Sequence, residues 1–148
     1  MGYFNDDTIA AIASAPEVAA AVGVIRVSGP DSWKVASAIL EKSHGGRFDP
    51  SKVESHRLYR CVLRSGGNLL DDGMFVWMKA PHSFTGEDVV ELHLHGNPYL
   101  LRRVMKELMA AGAREALPGE FSFRAFRNGK VSLDQAEGAI LAHSVALP

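Results

Sequence analysis

Alternation of apolar and polar side chains predicts a sheet built from much of the first two thirds of the chain. In the stretch 88–95, Val, Leu and Leu alternate with Glu, His and His, so one side of the strand is apolar and the other is polar. Other runs of apolar and β-branched residues, bounded by Gly, Pro and Asn, are typical of further strands. The predicted strands are 8–13, 21–28, 54–64, 74–79 and 88–95, with turns at 14–17 and 65–68 and a loop at 69–73.

Apolar residues at helical spacing predict helices, mostly in the second half of the chain. The strongest pattern covers 98–111, where Asn97 is a good N-cap, Pro98 suits the first turn and Gly112 suits the end. A capping box at 132–135 predicts a last helix that begins at about 133 and runs toward the C-terminus. Two further helices are predicted. The first begins at Pro30-Asp31-Ser32, has Trp33, Ala36 and Leu40 at helical spacing, and ends at 44–46. The second begins at Pro118-Gly119-Glu120 and ends at Asn128-Gly129.

The composition is that of one globular domain without an electrostatic preference for nucleic acid. The 148 residues carry 16 Lys+Arg and 17 Asp+Glu, a formal net charge of −1, so no positive field of the whole chain attracts a polyanion. Acidic residues near the N-terminus and the lack of a long apolar run argue against a signal peptide and a membrane span. With Cys61 as the single cysteine, we expect a soluble, cytoplasmic protein without an internal disulfide.

Three potential metal ligands, Glu91, His93 and His95, share the polar side of the predicted strand 88–95. Strand alternation brings any polar trio to one side, and no further Asp, Glu or His stands at an evident spacing from it. We therefore favour histidines that are hydrogen-bonded in the core or at an interface. The residues around Lys130 do not form a phosphate-binding P-loop, and the chain has no Gly-x-Ser-x-Gly nucleophile motif.

Three charged residues occupy predicted positions where free solvation is not expected. Arg26 and Glu91 lie on predicted strands, and Lys130 directly follows a helix-ending Asn-Gly turn. Burial of a charge is costly unless the charge meets an opposite charge or a polar ligand. The spacing leaves both possibilities open, an internal set of ion pairs or a ligand site. The basic residues within 57–64 and 102–106 are more typical of the solvated sides of a strand and a helix.

Several long sequence blocks occur in an ordered series that covers nearly the whole chain. The most specific are APHSFTGEDVVE at 80–91 and PGEFSFRAFRNGK at 118–130. Shorter blocks are DTIAA at 7–11, VGVIRVSGP at 22–30, His-Gly at 95–96, Gly-Ala-Arg at 112–114 and LDQAE at 133–137. Together they resemble the N-terminal domain of the MnmE (TrmE) family of tRNA-modification GTPases.

The resemblance implies an α+β fold of the folate-binding aminomethyltransferase-like type, with a mixed or antiparallel sheet and flanking helices. It implies that 1–130 form a tetrahydrofolate-binding and dimerisation domain. Residues 131–148 are then the start, truncated or divergent, of the family's helical domain. The GTPase domain, with its GTP, Mg²⁺ and K⁺, lies outside this chain, so we do not expect the chain to be catalytic by itself.

The family resemblance also implies the partners and the reaction. With the flavoprotein MnmG (GidA), a homodimer of the full-length family protein modifies carbon five of the wobble uridine in certain tRNAs. The one-carbon unit is carried by 5-formyl- or 5,10-methylene-tetrahydrofolate, which is expected at or near the dimer interface. A membrane partner is not expected.

By motif, Arg26, Glu91 and Lys130 match folate-binding positions of the family. A carboxylate can accept paired hydrogen bonds from the amino-amide edge of a pterin, and Arg and Lys can hold formyl or glutamyl oxygens. We expect neither a catalytic residue nor a metal ligand in this chain. Two segments, 17–21 and 94–98, depart from the glycine-rich pattern that is usual in the family.

Three alternatives remain open on the sequence. The chain could be a stand-alone folate-dependent one-carbon transferase, or a metal-dependent enzyme that uses Glu91, His93 and His95. It could also be a dimerisation domain whose ligand site has decayed.

Overall fold

The structure, a computed structural model, describes residues 6–14 and 20–138. In chain order, the strands of this part are β1 (Ile9–Ile12), β2 (Ala20–Ser28), β3 (Leu40–Glu41), β4 (Leu58–Ser65), β5 (Asn68–Met78), β6 (Val89–Gly96) and β7 (Arg114–Glu115). Its helices are α1 (Ser32–Ser37), α2 (Pro98–Ala110) and α3 (Glu120–Arg127), with a short 3-10 helix at Pro50–Lys52 and a further helix that begins at 133.

The seven strands form a single mixed sheet in the order β3-β4-β5-β6-β2-β1-β7. Each neighbouring pair is antiparallel except β1 and β7, which run parallel at one edge. Strands and helices are interspersed along the chain rather than arranged in regular β-α-β units. The predicted α+β class with a mixed sheet is confirmed.

The hydrophobic core lies on one face of the sheet, beneath α1 and α2. Ile25 and Val27 of β2 are fully buried there, and α2 contributes the buried Leu101. Gly23 makes this packing possible, because a Cβ at that position would lie 2.8 Å from the Leu101 methyl groups. Strand alternation therefore turns the residues between the core positions, including Arg26, toward the opposite face, which we call the open face.

Several predicted elements are confirmed. Helix α2 begins after Asn97, whose side-chain oxygen accepts hydrogen bonds from the backbone N–H groups of Tyr99 and Leu100. The capping box is formed, because Ser132 and Gln135 exchange side-chain-to-backbone hydrogen bonds. Residues 15–17 of the predicted first turn, most of the segment 17–21 and the last helix beyond 138 lie outside the described residues.

The helix predicted to follow Pro30 is shorter than its apolar spacing suggests. It ends at Ser37, and Leu40 instead pairs with Leu63 in the strand β3. Leu40 is buried in the strand, as it would be on the apolar side of a helix. The backbone carbonyl of Ile39 accepts a hydrogen bond from the N–H of Arg64. Strand pairing therefore determines the local structure here.

The loop predicted at 69–73 is wrong, because β5 begins directly at Asn68. Gly66 and Gly67 both have positive φ, 58° and 81°, as a two-residue hairpin turn requires. The turn places Ser65 opposite Asn68, so pairing resumes immediately. The strand predicted at 54–64 is also shifted, since β4 runs from Leu58 to Ser65.

None of the helices in the described part of the chain combines the length and the apolar character needed to cross a membrane.

Candidate functional site

An ion pair lies on the open face at the centre of the sheet. Arg26 of β2 is the cross-strand partner of Glu91 of β6. The Arg26 Nε donates to Glu91 Oε2 at 2.7 Å, and both side chains are only partly exposed. The structure thus brings together two of the three charged residues that the sequence singled out.

His93 completes the surroundings of the Glu91 carboxylate. Its Nε2 lies 3.0 Å from Glu91 Oε1, so each oxygen of Glu91 has one partner. Burial raises the pKa of Glu91, but the hydrogen bonds and positive charges of His93 and Arg26 outweigh burial and lower it overall. The carboxylate is therefore ionised near neutral pH, and each oxygen keeps a second lone pair for a ligand N–H group.

His95 does not join Glu91 and His93 in a common ligand set. Its Nδ1 lies 2.8 Å from Asp71 Oδ1, and its backbone N–H donates to Asp71 Oδ2 at 3.0 Å. Among the residues that the structure describes, the group with metal-compatible spacing is Asp71, Asp72 and His95. A metal centre on Glu91, His93 and His95, one of the alternatives left open by the sequence, is not formed in this arrangement.

Lys130 follows shortly after the C-terminal end of α3. Its backbone N–H donates to the carbonyl of Ala125 at 2.7 Å, which closes the helix, and the side chain is exposed. Its Cε passes close to Gly86, where an added Cβ would lie 3.5 Å away. Among the described residues, no ion pair joins Lys130 to Glu91.

The loop between β5 and β6 connects the surroundings of Lys130 with the strand that carries Arg26. Ser28 donates its hydroxyl proton to Glu87 Oε1 at 2.8 Å, so Thr85 is the donor in the 2.7 Å contact between the two hydroxyls. The amide of Asn128 donates to the Thr85 carbonyl at 2.8 Å. The loop is therefore fixed to β2 at one side and to the end of α3 at the other.

A buried group of ion pairs holds α3 against this loop. Arg124 is fully buried and donates to Glu87 Oε1 at 3.1 Å, to Asp7 Oδ1 at 3.0 Å and to the Asp7 carbonyl at 2.6 Å. Glu120, also fully buried, accepts from Arg124 at 3.4 Å and from Arg114 at 2.7 Å. Burial raises the pKa of Glu120, but the hydrogen bond from Arg114 and other favourable contacts lower it overall.

Sequence reasoning missed this group of ion pairs. The only local signal is the spacing of Glu120 and Arg124, which stand four residues apart on one helix and so face the same side. The contacts with Asp7 and Glu87 join segments that are distant along the chain, so no local pattern predicts them. For His93 the sequence favoured a hydrogen-bonded histidine, as the structure shows, but it did not predict Glu91 as the partner.

The open-face arrangement is suited to recognition of a polar heterocycle. An ionised carboxylate stands between a guanidinium and an imidazole on a half-buried surface, where hydrogen bonds to charged groups are stronger than in open water. A planar ligand with an N–H edge would find paired acceptors at Glu91. Lys130, beyond the end of α3, is exposed to solvent.

The fold defines an α+β domain with a charged pair on its open face, and comparison with known proteins gives its family. The family described as "GTP-binding protein TrmE N-terminus" matches residues 8–130. A protein called tRNA modification GTPase MnmE from Roseiflexus sp. (strain RS-1) is 42% identical over 91% of this chain and 28% of its own length. Proteins of the same name from Xanthomonas campestris pv. campestris (strain B100) and Chloroflexus aurantiacus are 46% and 43% identical over 90% and 91% of this chain.

The chain therefore belongs to the family of TrmE N-terminal domains, as its sequence blocks indicated. It spans less than a third of the length of the curated relatives it matches, which are named as tRNA modification GTPases.

Proposed function

We propose that this chain is the tetrahydrofolate-binding and dimerising part of a tRNA-modification GTPase. The observation that carries the proposal is the Arg26–Glu91 pair on the open face, with an ionised carboxylate at its centre. Both residues stand in sequence blocks typical of the family, and Lys130 ends a third block. Residues 1–130 form this unit in our proposal, and 131–148 begin the helical domain.

The side chains fit a reduced folate chemically. Glu91 can accept paired hydrogen bonds from the amino-amide edge of a pterin, which is a donor edge. Arg26 and Lys130 can hold formyl or glutamyl oxygens through charge-assisted hydrogen bonds. When bound, 5-formyl- or 5,10-methylene-tetrahydrofolate supplies the one-carbon unit, and the residues of this chain bind and orient it.

Apolar side chains next to the ion pair favour dimerisation through the open face. Along one cross-strand row, Leu58 lies opposite Val76, Val76 opposite Glu91, and Glu91 opposite Arg26. Leu58 is 49% exposed, and Val22 on β2 is 54% exposed. An uncovered sheet face normally carries polar residues, so apolar residues there favour a second copy of the domain as the cover. The folate site would then lie at or near the interface.

The wider function that we propose belongs to a longer protein. Its GTPase domain would bind GTP with Mg²⁺ and K⁺, and the protein would act with the flavoprotein MnmG on carbon five of the wobble uridine of certain tRNAs. Support comes from the names of relatives that are more than 40% identical to this chain. The chain itself has no P-loop motif, so we assign it binding rather than catalysis. The single cysteine, buried and free, suits the cytoplasm.

Calorimetric titration with 5-formyltetrahydrofolate tests the ligand assignment. The variants Glu91→Gln and Lys130→Ala should each weaken binding about tenfold or more, because each loses a hydrogen bond to a charged group. Glu54→Gln is the matched control, since Glu54 pairs with Arg57 on the exposed surface and should leave binding unchanged.

Unchanged affinity in both site variants would remove these residues from the ligand site. A dimer that binds no folate would support the dimerisation role alone and favour a decayed site.

A further inference from the structure

A second group of ligand-type side chains lies at the other end of β6, where its last residues meet the first half of β5. Asp71, Asp72 and His95 each offer one ligand atom, and these atoms all lie within 4.8 Å of one another. A register shift in the β4–β5 pairing falls between Leu63 and Arg64, next to the residue paired with Asp71. Such irregularities change the direction of neighbouring side chains.

The negative charge of this group is not balanced by a Lys or Arg. Within the residues that the structure describes, no such side chain lies within 4 Å of Asp71 or Asp72, and the ion pair found for Asp71 is with His95. The Asp71 side chain is only 9% exposed, so water screens its charge poorly. The field at this end of the sheet therefore favours a cation.

The contacts of Asp71 orient its carboxylate so that a cation can bind between Asp71 and His95. Its Oδ2 accepts the backbone N–H of His95, which fixes the carboxylate plane. Its Oδ1 lies 2.8 Å from the His95 Nδ1, a contact bridged by a proton that a cation can replace. The His95 side chain is 67% exposed, so its ring can turn, and the exposed Asp72 can approach.

We propose that Asp71, Asp72 and His95 bind a divalent first-row transition-metal cation, such as Zn²⁺. An imidazole nitrogen with two carboxylate oxygens favours such an ion over Mg²⁺ or Ca²⁺, which prefer oxygen ligands alone. Three protein ligands leave at least one position for water. The site is distinct from the Arg26–Glu91 pair, and the proposal does not depend on folate binding.

Calorimetric titration of the chelator-treated chain with Zn²⁺ tests the proposal. We expect saturable binding of one ion per chain, weakened about tenfold or more by His95→Gln and by Asp72→Asn. Mg²⁺ should bind more weakly than Zn²⁺. His44→Gln is the matched control, because His44 is an exposed histidine in a turn and is not one of the three proposed ligands, so this variant should bind Zn²⁺ like the unaltered chain.

Nuclear magnetic resonance with Mn²⁺ as the probe gives a second readout that does not depend on any variant. The amide signals of Asp71, Asp72 and His95 should broaden first. The site would be overturned if folded His95→Gln and Asp72→Asn chains bound Zn²⁺ with unaltered affinity. Broadening centred on another histidine would also overturn it. If His95→Gln does not fold, the exposed Asp72→Asn carries the comparison. Glu91→Gln should retain Zn²⁺ binding, so failure of the folate assignment and failure of this one are distinguishable.

Discussion

The contribution of a charged side chain to the stability of this domain depends on how deeply the side chain is buried. Arg124 is withdrawn from water and is held by acceptors from three segments of the chain, Asp7, Glu87 and Glu120. The exposed pair Arg57–Glu54 contributes little, because water screens it. Removal of one partner from a buried group leaves the others charged and uncompensated.

Substitution of Arg124 tests the structural role of the buried ion pairs. Arg124→Met should lower the free energy of unfolding by about 3–5 kcal/mol, because Glu120 and Glu87 lose a buried countercharge. The measurement is urea unfolding followed by circular dichroism. Arg57→Met is the control and should leave the free energy of unfolding nearly unchanged, because water screens this exposed pair. A loss for Arg124→Met as small as that of the control would contradict the account.

Acid should destabilise the domain partly through Glu91. Its pKa is lower in the folded chain than its ordinary value, so its stabilising contribution is complete above the ordinary pKa and is lost as pH falls through the folded pKa. Urea midpoints should therefore fall as pH is lowered below about 5. The urea midpoint of Glu91→Gln should fall less steeply with decreasing pH. If its midpoint depended on pH in the same way as that of the unaltered chain, the paired carboxylate would not contribute to the acid sensitivity.

The sequence predicted on which side of its strand each charged strand residue of the site lies, but not which residues it contacts. Strand alternation correctly set Arg26 and Glu91 on one side of their strands, because that periodicity is local. It did not predict that the two residues are cross-strand partners, which depends on the register of β2 and β6. Lys130 was expected to meet the same ligand, but its distance from the pair depends on how α3 packs on the loop between β5 and β6. These are tertiary contacts between distant segments.

Elements with strong local signals matched their predictions best. Helix α2 has a cap, an initial proline and a clear apolar side, and its bounds differ little from those expected. The segment 38–41 has helical spacing but pairs with β4, and 69–73 contains loop-like residues but extends β5. In both cases neighbouring strands supply backbone partners that a local pattern does not reveal.

The N-cap of α2 can be tested by two substitutions at one position. Asn97→Ala should lower stability by about 1 kcal/mol, because the N–H groups of Tyr99 and Leu100 lose their shared acceptor. Asn97→Asp keeps an acceptor oxygen and adds a favourable charge at the helix N-terminus, so it should retain stability. Thermal unfolding of the two variants compares them directly. Equal losses would mean that the capping oxygen is not what stabilises this end.

In the described part of the chain, one face of the sheet is covered by α1 and α2, and the other face carries apolar residues around a charged pair. A near-neutral chain of this kind has no general attraction for RNA, so in the function that we propose contact with tRNA falls to other parts of a longer protein. The role that we propose for this domain is to provide a surface for a second copy and for a small ligand.

Sedimentation equilibrium tests the oligomeric state that we propose. The unaltered chain should form dimers, and Val22→Lys should shift it toward monomers, because a charge is then placed in the apolar part of the open face. Met109→Lys is the control, since Met109 is similarly accessible but lies on the outer side of α2. Equal effects of the two substitutions would exclude the open face as the specific interface.

The most direct test of the central claim is a crystal structure of the chain bound to 5-formyltetrahydrofolate. We expect the pterin on the open face, with its amino-amide edge on the Glu91 carboxylate and with Arg26 or Lys130 on ligand oxygens. A folate bound on the helix-covered side, or one that leaves Glu91 in contact only with Arg26 and His93, would contradict it.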